Sequence, residues 1–366
     1  FMSMIIAHED LHIYAYVSII EALSKLGIVS LLVVLPWDKL IVYGILLCAM
    51  SFINSSIYII VCMKKYEECQ FHKFYWDRNI FKEVIGFTGW TLFGQFTTIT
   101  RKQAVTILIN QLFNPVVVAA MSISTQTTNY VTIFSNNFNV ILYPPIIKNY
   151  ASGQKDQMLN LMFNGSKICF FLMWVFAAPL FLGMDEIMRL WLKNPPPYTV
   201  LFSRLALIEV LINSTSFPLM TMARAAGKMK LYELTLGSIQ LSIFFMSWFS
   251  LSLGAPVYSV LLIAIIINCI MFVARIFLVK HLINYSILQY FKKVIFPVSA
   301  VILISINLSA MVFYLLPKGF AYLNVSILLS VIISSTCMYL IGLEHIERIK
   351  IRAVVENKIF NFLRLT

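Results

Sequence analysis

Long apolar runs alternate along the chain with short polar connections. Ten of the runs can cross a hydrocarbon core, which takes roughly 20 helical residues for about 30 Å. They are Leu11–Leu35, Leu40–Met63, Val84–Asn110, Val116–Leu142, Leu159–Leu182, Thr199–Met222, Leu231–Leu253, Pro256–Val279, Val294–Leu316 and Phe320–Leu343. Connections such as Pro36-Trp37-Asp38-Lys39 and Gly254-Ala255 are so short that neighbouring helices must form antiparallel hairpins. The pattern predicts an all-α, polytopic membrane protein with about ten transmembrane helices. No interdomain linker or low-complexity segment interrupts it.

Composition agrees. Hydrophobic residues make up 60% of the 366 positions and charged residues 12%, against roughly 45–50% and 25% in soluble domains. The net charge is +12. Its distribution points to loops on one face of a membrane, not to nucleic acid. One set of alternate loops and ends holds nineteen Lys and Arg, at 64, 65, 73, 78, 82, 148, 155, 224, 228, 230, 275, 280, 292, 293, 348, 350, 352, 358 and 364. The other set holds four: Lys39, Arg189, Lys193 and Lys318. Cytoplasmic loops collect Lys and Arg, so the 64–83 loop and the C-terminal tail are expected on the cytoplasmic side. The tail, Glu344–Thr366, mixes apolar and basic residues and reads as an amphipathic helix lying on anionic membrane lipids. The six Cys show no paired spacing and read as small apolar residues. The chain opens at Phe1 in mid-pattern, without a signal peptide, so further N-terminal sequence is expected.

Two runs carry polar residues where lipid should be. In the fourth, Ser122, Gln126, Asn129, Thr132, Asn136 and Asn139 fall three or four residues apart, forming one stripe of a helix. In the third, Thr91, Gln95, Thr98, Lys102 and Thr106 do the same, with Arg101 on the flank. Such stripes face other helices or water. Two adjacent ones predict a water-filled cavity; interhelical hydrogen bonding in a packed bundle is the plainer alternative. Arg101 and Lys102 have no acid three or four positions away on their own helix, so each needs a partner from elsewhere. An anionic, phosphate-bearing substrate suits them, because Arg forks onto phosphate oxygens and Lys adds a point charge. An interhelical pair with Glu21 or Glu209 is the structural alternative. Glu21 and Lys25, at i and i+4, read as a mutual pair. Glu209, the lone acid of its run, is a candidate for proton or sodium coupling, as is Glu21 more weakly. Lys167 and Arg204 are expected to snorkel from helix ends.

No phosphate-binding loop, no His-Glu-x-x-His motif and no nucleophile–base pair occurs. The five His lack metal-ligand spacing. No metal or cofactor is expected, and an enzyme is unsupported.

Several segments carry a resemblance. They are 5–10 (Ile-Ile-Ala-His-Glu-Asp), 38–43, Phe87-Thr88-Gly89-Trp90-Thr91-Leu92-Phe93-Gly94, 145–153, Trp191-Leu192-Lys193 with Pro197-Tyr198-Thr199, and Ala226-Gly227-Lys228-Met229-Lys230. In this order the chain resembles the Wzx-type polysaccharide (O-antigen and capsule repeat-unit) flippases of the multidrug and toxic-compound extruder superfamily. The resemblance implies fourteen helices in two six-helix lobes with two extra at the end, of which the ten runs would be helices five to fourteen. It divides the chain into 1–63 (the last two helices of the N-terminal lobe), the 64–83 loop, 84–279 (the C-terminal lobe), 294–343 (the extra pair) and the 344–366 tail. It further implies an undecaprenyl-diphosphate-linked oligosaccharide as substrate, moved across the bacterial inner membrane by alternating access, with polysaccharide polymerase machinery as a partner. Arg101 and Lys102 would then meet the diphosphate, and Gln95, Gln126, Asn129 and Asn136 would line the cavity and meet the sugars. The sequence departs from the family at Tyr143-Pro144-Pro145, where Asn-Pro-Gln is usual, and at Gln103-Ala104, where Gln-Gly is frequent.

The competing readings are a cation-coupled drug extruder, a membrane glycosyltransferase or polymerase, and a non-functional fragment. An extruder of cations calls for an acidic cavity, whereas the third run is basic. A transferase calls for a large polar loop, whereas the longest outer connection, Gly183–Tyr198, is short.

Overall fold

The computed structural model describes residues 1–8, 10–34, 38–69, 76–316, 319–344 and 347–349. The described residues are helical, with no strand among them. They form two compact units, 1–81 and 82–366.

In the first unit a short helix, α1 (Met2–Ala7), precedes a hairpin of two long ones, α2 (Leu11–Val34) and α3 (Lys39–Lys65). Ile5 and Cys62 are fully buried and Tyr66 nearly so. Around them lies a small polar knot. Asp10 accepts from Tyr66 Oη at 2.6 Å and pairs with Lys65 Nζ at 2.8 Å, and His8 stacks on the Tyr66 ring at 4.3 Å. His12 lies 3.8 Å from the same carboxylate. The Lys65 hydrogen bond, then the Tyr66 one, hold the Asp10 carboxyl below its ordinary value. A depressed folded-state pKa adds stability that is complete above the unfolded value, about 3.9, and disappears as pH falls through the folded one. Thermal unfolding followed from neutral pH down should therefore show an acid-side loss that Asp10→Asn lacks. Identical acid limbs would mean that the knot contributes nothing.

Deeper in the hairpin, Glu21 accepts from Lys25 at 2.6 Å with both side chains half-exposed. The i, i+4 pair is thus formed.

The second unit is a bundle of α4 (Arg78–Leu112), α5 (Pro115–Ala151), α6 (Lys155–Leu182), the short α7 (Met184–Leu192), α8 (Thr199–Ser214), α9 (Phe217–Ala225), α10 (Met229–Ser252) and α11 (Ser259–Ile283). It continues through the one-turn α12 (Ile287–Tyr290) and a wide turn into α13 (Phe296–Leu315), then α14 (Phe320–Cys337). Consecutive long helices pair as hairpins: α5 with α6, α10 with α11, α13 with α14. The start of α5 is written locally. Asn114 caps it by accepting from Val117 N at 3.1 Å, and Pro115 takes the first helical position. Close approach comes from small residues, as expected where lipid removes the hydrophobic drive between helices. A side chain at Gly165 of α6 would collide with Leu142 of α5 and crowd Pro218 of α9. Trp174 donates to Ser305 at 2.8 Å, and Ser330 donates to Ser309 at 3.0 Å; these bonds tie α13 to α6 and α14 to α13.

Among the described residues, eight helical stretches are long and apolar enough to cross a membrane: 12–32, 41–65, 155–192, 199–225, 229–252, 259–283, 287–315 and 322–342. The protein is a multi-pass membrane protein. Ten runs were expected; the two outside this set are α4 and α5, long enough at 35 and 37 residues but made less apolar by their polar positions. Two other expectations change. The sixth run is not one helix: it breaks at Thr215-Ser216, ahead of Pro218, which cannot donate to a continuing helix. The connection 183–198 contains α7. Pro144 and Pro145 sit inside α5, which runs on past them to Ala151. Of the proposed amphipathic tail, 345–346 and 350–366 lie outside the described residues.

Candidate functional site

α4 and α10 lie side by side and run the same way. Lys230 stands over the Trp90 ring at 5.5 Å, the Glu233 carboxylate lies against Gly94, Gly237 packs on Phe93 and Thr97, and Thr98 donates to Gln240 at 3.1 Å. Both residue numbers rise together, so the two helix starts share one end of the bundle. The alternation of basic loops asks for the same arrangement.

α4, α5, α8, α10 and α11 surround a cavity of about 900 Å³. Gln95, Arg101, Lys102, Gln126, Asn129 and Asn136 all line it, with Ser122 and Thr132 of the same stripe. The geometry has a simple cause. On α5 the small polar residues Ser124, Thr128 and Ser135 are buried, while the amides one helical face away are exposed to the cavity. Asn139, the last member of the stripe, does not line it.

Glu209 of α8 faces the same space and is not free. It accepts from Arg101 Nη1 at 3.2 Å, and both side chains are almost buried, at 11% and 15% exposed. The same carboxylate oxygen accepts from Asn268 Nδ2 of α11 at 3.1 Å. Asn268 Oδ1 in turn accepts from Asn213 Nδ2 at 3.0 Å. The interhelical pair foreseen for Arg101 is therefore made with Glu209 and not with Glu21, which is engaged by Lys25. Arg101 is only partly satisfied: its Nε is buried without a hydrogen-bond partner. Lys102 makes no ion pair with any described residue.

Sequence reasoning missed Asn213, Gln240, Asn268 and Arg275, all of which line the cavity. None of them belongs to a helically spaced polar stripe that would announce it. With Arg275 included, the charged lining is three cations and one carboxylate. Among the described residues no group of three His, Cys, Asp or Glu could hold a metal.

Lys167 was expected to snorkel. It does not: its side chain is completely buried, and its Nζ donates to both carboxylate oxygens of Glu347, at 3.0 and 2.8 Å. A cation this deep needs a partner, and the chain supplies one 180 residues away. Arg204 donates to Asp185 at 2.8 Å and to the Phe181 carbonyl at 3.0 Å near the start of α7.

Residues 91–245 match the family model described as MatE. The matched stretch runs from α4 into α10 and contains Gln95, Arg101, Lys102, Gln126, Asn129, Asn136 and Glu209. The match supports a membrane transporter or flippase of MATE type. Comparison with curated proteins returns no match, and neither does comparison with solved structures.

Proposed function

We propose that the protein works as a flippase for undecaprenyl-diphosphate-linked oligosaccharide units, moving them from the inner to the outer leaflet of a bacterial inner membrane. One observation carries this reading: a single cavity gathers three cations, one carboxylate and a row of amides. Arg101, Lys102 and Arg275 suit phosphate oxygens. Gln95, Gln126, Asn129 and Asn136 offer both donors and acceptors, the mixture that sugar hydroxyls require. No bond is made or broken; the work is binding followed by a change of access. Glu209 is the acid in this unit best placed to couple the cycle to a proton or sodium ion, since binding either would release Arg101. A cavity for cationic drugs would want the opposite charge balance. The cytoplasmic C-terminus and a polymerase partner belong to the same reading.

The test is sided. Delete the gene in its host and treat intact cells with a glycan-cleaving reagent confined to the periplasm. The lipid-linked oligosaccharide should accumulate out of the reagent's reach, and the restored gene should bring it back within reach. Unchanged access, in a host with no second flippase, refutes the glycan role.

A further inference from the structure

A second cavity, of about 650 Å³, lies at the end of the bundle where α6 turns into α7 and α13 turns back into α14. It falls within the roughly 300–1,000 Å³ of small-molecule sites and shares no lining residue with the cavity described above. α6 alone has 28 residues, about 42 Å of helix, already more than the roughly 30 Å of a hydrocarbon core. The nine-residue α7 therefore starts at the membrane surface. Met184 and Met188, one turn apart, are fully buried and fix which side of α7 faces inward. Leu190 and Trp191 stay half-exposed, as in a helix lying at the lipid–water boundary, where Trp collects. On the remaining side, Asp185, Glu186 and Arg189 line the cavity.

The lining is split in character. Leu190, Phe313, Leu316 and Leu323 give an apolar wall, drawn in so closely that a side chain at Gly183 would crowd Phe313 and Leu323. Two of the polar groups are already engaged: Asp185 accepts from Arg204, and Ser326 donates to the Tyr322 carbonyl. Glu186 and Arg189 make no hydrogen bond or ion pair with any described residue. They stand three apart on one helix, where opposite charges ordinarily stabilise each other as a pair. The cavity thus offers one free carboxylate and one free guanidinium, a turn apart, beside an apolar wall at the membrane boundary.

We propose that this cavity binds a zwitterionic aminophospholipid of the phosphatidylethanolamine type. Arg189 forks onto the phosphate and Glu186 accepts from the primary ammonium. An acyl chain lies along Leu190, Phe313, Leu316 and Leu323. The phosphate and ammonium of that headgroup are two carbons apart, which suits side chains whose Cβ atoms are about 5–6 Å apart on a helix. Phosphatidylcholine carries the same charges but its nitrogen has no hydrogen to donate; phosphatidylglycerol has no cation for Glu186. The bound lipid bridges α7 to the α13–α14 hairpin, and nothing in the assignment depends on what the transport cavity carries.

The full chain is purified in detergent, and bound lipid is counted by native mass spectrometry during titration with each of the three lipids, matched in acyl chains. Phosphatidylethanolamine should bind about tenfold tighter than either of the others, the size of one charged hydrogen bond. Glu186→Gln should erase its advantage over phosphatidylcholine, and Arg189→Gln should weaken its binding about tenfold. Arg101→Ala/Lys102→Ala should bind it as wild type does. Glu186→Lys should reverse the order and put phosphatidylglycerol ahead, a gain that a misfolded variant cannot give. Equal affinities in wild type, or a preference that survives Glu186→Gln or Glu186→Lys, overturn the site. Loss of binding with Arg101 and Lys102 moves the lipid to the transport cavity and overturns it too. Glycerophosphoethanolamine, the headgroup without its chains, should not displace the lipid at equal concentration; displacement would make the ligand a soluble zwitterion and refute the lipid assignment.

Discussion

Glu347→Ala is expected to destabilise the second unit by about 3–5 kcal/mol, the usual result of removing one partner from a buried ion pair. The Lys167 ammonium would remain inside α6, fully buried, with neither of its two carboxylate bonds. At the lower figure the unfolding equilibrium moves about a hundredfold. Lys167→Ala should cost less, since Glu347 is 15% exposed and can reach water. Replacing both by apolar residues of similar volume should recover most of the loss, because the pair is costly to desolvate as well as costly to break. Cys169 is completely buried two residues beyond Lys167 on the same helix. In a variant that keeps only this cysteine, its rate of thiol labelling reports the opening of α6. Equal labelling rates in wild type and Glu347→Ala would remove the pair from any account of stability.

Sequence pattern served well where the physics is local. The polar stripe of α5 was legible because five of its members, Ser122, Gln126, Asn129, Thr132 and Asn136, recur with helical spacing and so share one side of the helix. The Glu21–Lys25 pair was legible for the same reason. Arg101 announced its need for a partner by lacking one on its own helix, though not which of two acids would answer. What escaped was tertiary. Asn268 reaches Glu209 across 59 positions and Glu347 reaches Lys167 across 180, distances at which no periodicity carries information. Lys167 looked like a helix-end residue because the acid that neutralises it stands in a different part of the chain. The break at Thr215-Ser216 was locally written, in Pro218, but the apolar run around it hid the signal.

The two adjacent cations of α4 do unequal work. Arg101 is held: Glu209 takes one of its nitrogens, Asn268 donates to Glu209, and Asn213 donates to Asn268 in turn. Such a guanidinium is pre-oriented, and its remaining donors are ready for an anion without further ordering cost. Lys102, with no ion pair among the described residues, contributes charge without direction.

Arg101→Ala should therefore lower polysaccharide export more than Lys102→Ala. Loss of one charge-assisted bond, at about 1.5–3 kcal/mol, corresponds to roughly 10- to 100-fold in substrate binding. Arg101→Lys should recover little of this, because an ammonium keeps the charge but cannot fork. The variant also strips Glu209 of its cation, so a structural loss has to be separated from a functional one. Arg101→Met combined with Glu209→Leu does that: it removes both charges, fills the space, and should insert into the membrane as wild type does. Export should stay low in this double variant if Arg101 meets the substrate. It should return if Arg101 serves only to neutralise Glu209. Export in cells, normalised to the amount of protein in the membrane, reads the difference, and wild-type export from Arg101→Ala/Lys102→Ala would exclude both residues as substrate contacts.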